Sequence, residues 1–146
     1  MHRSEAGHSR RWVRLAILWL VCVLYLVAGR AHIVNPEPFL TITPNWVAVP
    51  DGVIFWTGIA EILGAIALLQ PFSLRLRKAA AIGLALYALC VWPANFNHML
   101  IDMARDDGGW GLAYHVPRLM AQPVLIWATL WAGELIRWPF GRKSRH

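Results

Sequence analysis

Residues 52–70 read GVIFWTGIAEILGAIALLQ, nineteen residues with one ionisable side chain, Glu61. At about 1.5 Å per residue such a helix is close to the roughly 30 Å of a bilayer's hydrocarbon core. The segment has no sustained polar face, so it does not read as an amphipathic surface helix. It reads as a transmembrane span, and Glu61 is the anomaly within it. An ionised, unpaired carboxyl there costs on the order of 2.5–3.5 kcal/mol. Its neighbours three and four residues away are Thr57, Gly58, Gly64 and Ala65, all small. Small residues let helices approach closely, so Glu61 is expected to face protein and to be protonated, paired or wet.

Working outward, three more runs have the same character: about 12–30, 79–97 and 117–138. Of the 146 residues 58% are hydrophobic and 15% charged, against roughly 25% charged in soluble domains. Nine tryptophans suit a chain with two membrane interfaces. The expected fold is therefore all-α: an integral membrane four-helix bundle forming one domain over 12–138. Short basic tails, 1–11 and 139–146, flank it.

The net charge of +6 is explained by topology, not by nucleic acid. Arg3, Arg10, Arg11 and Arg14 lie at the N-terminal end, before or at the start of the first run. Arg75, Arg77 and Lys78 lie between the second and third, and Arg137, Arg142, Lys143 and Arg145 follow the fourth. These are eleven of the fourteen basic residues, all on one side of an alternating path. The positive-inside rule places that side, and both termini, in the cytoplasm. Arg10-Arg11 before an apolar stretch also resembles a twin-arginine export signal. Cleavage near Ala28–Ala31 would leave three spans and spoil the charge alternation.

The first outer connection, 31–51, contains Pro36, Pro38, Pro44 and Pro50 and is not expected to form regular helix. Phe39, Ile42, Trp46 and Val47 suit a loop on the bilayer surface or folded over the bundle mouth. Pro93 is expected to kink span three beside Leu89 and turn Asn95 inward. His32, Glu61, Asn95, and Arg118 with Gln122 then bring a polar group from each span to the outer half. This is either a ligand-binding cluster or a hydrogen-bond network that fixes helix register. Arg118 is the natural partner for Glu61 by charge, or else a snorkelling interfacial arginine. His32, His98 and His115 have no helical ligand spacing, so no metal is assigned. Cys22 and Cys90 lie at similar depth, as a redox pair or as small apolar residues. Glu134 and Arg137 read as an interfacial ion pair.

In order along the chain, these features resemble the DoxX-like membrane proteins. The match runs through Ala28-Gly29-Arg30-Ala31-His32, then Pro36, Phe39, Ile42 and Pro44. It continues in Thr57-Gly58-Ile59-Ala60-Glu61, where that family has Ser-Gly-x-x-Glu, and in Leu68-Leu69-x-Pro71. Pro93-Ala94-Asn95 and Arg118-Leu119 with Gln122 complete a set that covers about 15–135. Ile33 and Met120 depart from it, standing where an aromatic and a proline are usual. The resemblance implies a four-helix protein of the bacterial or archaeal inner membrane, associated with membrane redox complexes.

Two functions follow as expectations. The first is a small subunit of a redox system that binds a quinone or other apolar ligand in the outer half. Glu61 and His32 would handle protons, while Arg118, Gln122 and Asn95 hold carbonyl oxygens. The chain carries no haem, flavin or iron–sulfur signature, so electrons would come from a peripheral oxidoreductase, another membrane subunit or the quinone. The second is a non-catalytic anchor or scaffold for a partner protein. A small transporter ranks lower and would need a homo-oligomer.

Overall fold

The computed structural model describes residues 2–137, with side chains from His8 onward. The tail at 139–146, with Arg142, Lys143 and Arg145, and the side chain of Arg3 lie outside the described residues. Five helices follow one another: α1 (His2–Val34), α2 (Glu37–Leu40), α3 (Pro50–Leu69), α4 (Leu74–Met103) and α5 (Leu112–Ala132). No strand occurs among the described residues.

Segments His8–Val34, Pro50–Leu69 and Leu74–Met103 are long and apolar enough to cross a membrane. The fourth long helix, α5, has 21 residues, but His115, Pro117, Arg118, Gln122 and Pro123 dilute its apolar character. The helix bounds differ from those of the apolar runs, and the last helix stops short of 138. α1 continues to Val34, α4 passes through Pro93 to Met103, and α5 starts at Leu112 and ends at Ala132. Residues 31–51 are not wholly irregular either. α1 ends inside them, one turn of helix forms at Glu37–Leu40 with Pro38 in its first turn, and α3 begins on Pro50. Proline is tolerated at a helix start because that N–H has no intrahelical acceptor.

The core at the end of the bundle that holds the α3–α4 turn is built from small residues and a few larger ones. Leu18, Val21, Cys22 and Tyr25 of α1 meet Ala65 and Leu68 of α3, Ala81 and Leu84 of α4, and Ala132. The Tyr25 hydroxyl donates to the Leu84 carbonyl at 3.2 Å and lies 3.5 Å from Thr129 Oγ1, so one side chain ties α1 to α4 and α5. The outer faces are the reverse of a soluble bundle. Trp19, Leu63, Ile66, Leu86, Met120 and Val124 are all exposed. Water would penalise that surface; lipid would not.

The turn from α3 to α4 is closed by polar groups. Gln70 Oε1 accepts from the backbone N–H groups of Phe72 and Ser73 at 2.7 and 2.8 Å, and Arg77 donates to the Gln70 carbonyl at 2.9 Å. Glu134, just past α5, does not pair with Arg137. It lies between Arg14 of α1 at 3.9 Å and Arg77 of α4 at 3.6 Å. One acidic side chain thus gathers the basic stretches at that end.

α1 and α3 cross at glycine. A Cβ at Gly29 would sit 2.6 Å from the Gly58 carbonyl oxygen, and one at Gly58 would sit 2.8 Å from the Gly29 carbonyl oxygen. The obstruction is backbone on both sides and cannot swing away. Gly29→Val or Gly58→Val is expected to force the helices apart and destabilise by about 1–3 kcal/mol, the usual range for overpacking. Gly83 has open space where its Cβ would be. Gly83→Ala is therefore expected to leave stability unchanged or raise it by up to about 1 kcal/mol. Unfolding in detergent micelles compares the three.

Candidate functional site

The glycine crossing places the first functional pair. His32 lies one turn beyond Gly29 on α1, and Glu61 one turn beyond Gly58 on α3. Because the two helices run in opposite directions, each polar residue falls beside the other helix's glycine. A Cβ on Gly58 would meet His32 Cβ at 2.8 Å, and one on Gly29 would meet Glu61 Cβ at 3.1 Å. The missing side chains are the space the pair occupies. His32 Nδ1 lies 2.7 Å from Glu61 Oε2, with both side chains buried. The distance is that of an ion pair, but the angle is not that of a hydrogen bond, and neither atom makes a hydrogen bond elsewhere. An imidazole and a carboxyl can share one proton and leave no net charge in an apolar interior. That escapes the cost of a lone carboxylate.

The Glu61 partner is therefore His32, not Arg118. Arg118 starts nearer the loop end of α5 and meets His98 Nδ1 across the interface with α4. It also lies 3.4 Å from the Tyr114 hydroxyl of its own helix. His32 is further fixed by Phe39 of α2, whose ring meets the imidazole edge-on at 4.0 Å.

α4 and α5 face each other through a ladder of polar rungs. Asn95 Nδ2 donates to Gln122 Oε1 at 3.4 Å, His98 meets Arg118, and Asp102 Oδ2 lies 2.9 Å from His115 Nε2. The spacing is three then four residues on both helices, 95–98–102 against 115–118–122, which is one helical face on each. Gln122 Nε2 also donates to the Ala88 carbonyl at 2.5 Å. That acceptor is one residue before Leu89, the carbonyl that the Pro93 ring leaves without its helical donor.

The last rung was not legible as a site. Asp102 reads in the sequence as a loop acid, because the apolar run stops near 97. The helix carries it on, and Asp102 and His115 are both buried. Asp102 Oδ2 also accepts from the Trp110 N–H at 2.6 Å. Gly109, at φ 57°, leaves room for it; a Cβ there would collide with the carboxylate. In the exposed turn, Asp107 bonds Arg105 at 2.8 and 3.0 Å. That bond, with the Gly109 N–H, holds the Asp107 pKa down to about 2. A carboxyl depressed in this way supports the fold above its ordinary range and loses that support as pH falls toward about 2.

All five residues singled out in the sequence, His32, Glu61, Asn95, Arg118 and Gln122, line one cavity of about 380 Å³. The rest of its wall is mainly apolar, and Ile42, Trp46 and Val47 of the first loop close over it. Asn97 Nδ2 donates to the Ile42 carbonyl at 2.9 Å and ties that loop to α4. Tyr87, which no pattern in the sequence singles out, faces Glu61 and Thr57 across the cavity.

The redox pair of cysteines does not form. Cys22 is buried, with its thiol 3.6 Å from the Ala65 carbonyl, while Cys90 is exposed on α4. Among the described residues no group of three or more His, Cys, Asp or Glu side chains is placed to hold a metal ion.

Asp102→Ala removes the partner of a buried imidazole and of the Trp110 N–H. It is expected to cost about 3–5 kcal/mol, the range for breaking a buried pair from one side. Asp107→Ala, on the exposed side of the same turn, is expected to cost much less. Denaturation of the two variants beside the wild type measures the difference.

No curated protein and no solved structure matches the chain. A family model does match, over residues 21–133, and it is described as a domain of unknown function, DUF8561. That stretch runs from the middle of α1 to the end of α5 and takes in the cavity and the ladder, so the chain belongs to the DUF8561 family.

Proposed function

We infer that this is a four-span protein of a bacterial or archaeal cell membrane, with α5 as the fourth span and both termini cytoplasmic. It acts as a small subunit of a redox system and holds a quinone-like molecule in the bundle cavity. The topology rests on the excess of Lys and Arg at one end. There Arg14, Arg77 and Glu134 lie together. The likeness to DoxX-like proteins points to the same setting.

One observation carries the ligand reading. The cavity is mostly apolar, yet the His32–Glu61 pair stands in its wall with two buried polar atoms that make no hydrogen bond. A quinone fits those residues: its ring and tail match the apolar lining, and its oxygens suit a site that can both give and take a hydrogen bond. When bound, a quinone supplies two-electron, two-proton chemistry, with electrons delivered by a peripheral oxidoreductase or another membrane subunit.

His32 and Glu61 can pass a proton to, or take one from, an oxygen at the cavity wall. Tyr87, opposite, offers a hydroxyl to the same carboxyl. Arg118 and Asn95 line the cavity on the α4–α5 side. The loop over the mouth, fixed by Asn97, limits water at the site.

Mass spectrometry of small molecules extracted from gently purified protein is expected to show a stoichiometric quinone, absent from Glu61→Gln. Added decylubiquinone at a hundred times its Kd is expected to stabilise the wild type by about 2.7 kcal/mol, and His32→Gln and Glu61→Gln much less. A wild type that carries no quinone and gains no stability would leave the chain as an anchor for a partner protein.

A further inference from the structure

The cavity is not closed on all sides. Cys90 lines it and is also exposed on the outside of α4. Val53 of α3 lines it and is exposed as well. At such residues the wall is a single side chain thick. Both residues lie on the flanks where α3 and α4 face each other. On α3 that side is marked by Gly64, where a Cβ would sit 2.6 Å from Leu84 of α4. On α4 it is marked by Tyr87, one turn before Cys90, which faces Thr57 and Glu61 of α3.

A groove on the outside of α3 leads to the same gap. Val49, Gly52, Val53, Trp56, Thr57 and Ala60 line it, and Val53 and Thr57 belong to the cavity as well. The opening has a frame. At one end Gly64 and Leu84 bring α3 and α4 into contact. At the other, the Asn97–Ile42 bond holds the loop across the gap. From Leu84 to Asn97, α4 is about 20 Å long. Apart from Val49, just before α3, the residues on the two sides lie in helices long and apolar enough to cross a membrane, so in the four-span arrangement inferred above the opening faces lipid and not water.

We propose that this gap is a lateral portal through which a lipid-dissolved ligand passes from the bilayer into the cavity. The ligand class is an amphipathic molecule with one hydrogen-bonding head and a flexible aliphatic tail. The head reaches the His32–Glu61 pair, and the tail lies along Val53, Trp56 and Ala60 in the groove. This rests on the ligand-binding reading above and adds the route and the tail. In lipid the tail gains little affinity by entering a groove, because the solvent it leaves is equally apolar. The portal therefore acts on rates.

Ala60→Phe and Cys90→Phe narrow it from the two sides. Binding and release of decylubiquinone are followed by quenching of tryptophan fluorescence in proteoliposomes, with unfolding checked in parallel. In the double variant both rate constants are expected to fall, association by about tenfold, which is about 1.4 kcal/mol on that barrier. Folded variants with wild-type rates, or a weaker Kd from faster release alone, overturn the portal and leave the binding site standing. A wild type that binds no decylubiquinone overturns both.

Discussion

A helix surrounded by lipid gains nothing from hiding its apolar side chains, since the solvent is as apolar as they are. Association must come from close backbone approach and from polar groups that find partners. The contact between Gly29 and Gly58 is where this chain meets that demand most directly. It brings two backbones together and opens, in the same two turns, the space filled by His32 and Glu61. Enlarging either glycine would remove the close contact and the pocket for the pair at once. Packing and chemistry are one constraint here.

The other half of the bundle meets the demand differently. α4 and α5 carry no glycine crossing toward the loop end. Their polar rungs at 95–122, 98–118 and 102–115 take its place. Each helix would pay heavily for those side chains alone, and the pairing removes the cost from both. The two helix pairs then join mainly at the opposite end, through Tyr25, Leu84, Gly64 and the alanines around them. A molecule tied tightly at one end and through polar rungs and a loop at the other leaves space between its halves. The cavity is where that space lies.

Much of this was legible in the sequence, because length and hydropathy respond to the same lipid that selects the fold. The long helices, the basic turn at 75–78 and the inward placing of Glu61 follow from pattern alone. Polar residues from all four long helices were expected to converge, and they line one cavity. The pairing inside that set was not legible. Charge favours Arg118 for Glu61, but a partner is chosen by which helices touch and at what height. His32 is fixed opposite Glu61 by glycines whose role appears only when the helices are brought together. Asp102 was hidden for another reason: hydropathy marks where lipid-compatible sequence stops, and α4 continues past that point, where Asp102 is paired with His115 and accepts from the Trp110 N–H. The three-and-four spacing of Asn95, His98 and Asp102, mirrored by His115, Arg118 and Gln122, was the signal available.

The geometry also sorts residues that the sequence treats alike. Gln122 is committed at both ends of its amide, to Asn95 and to the Ala88 carbonyl beside the proline. Arg118 is held by His98 and Tyr114. Asp102 and His115 hold each other through Oδ2 and Nε2, out of reach of the cavity, while His115 Nδ1 makes no hydrogen bond. These groups make the wall and set its charge, and their loss would be felt as instability before anything else. His32 and Glu61 differ because their contact, though short, leaves Nδ1 and Oε2 without a well-formed hydrogen bond. A buried polar pair in that state gains from a third group at the cavity wall, whereas the bonded atoms of a rung would have to break a bond to accept one. Within one polar lining, the ladder therefore carries structure, and the pair at the glycine crossing is where chemistry can enter.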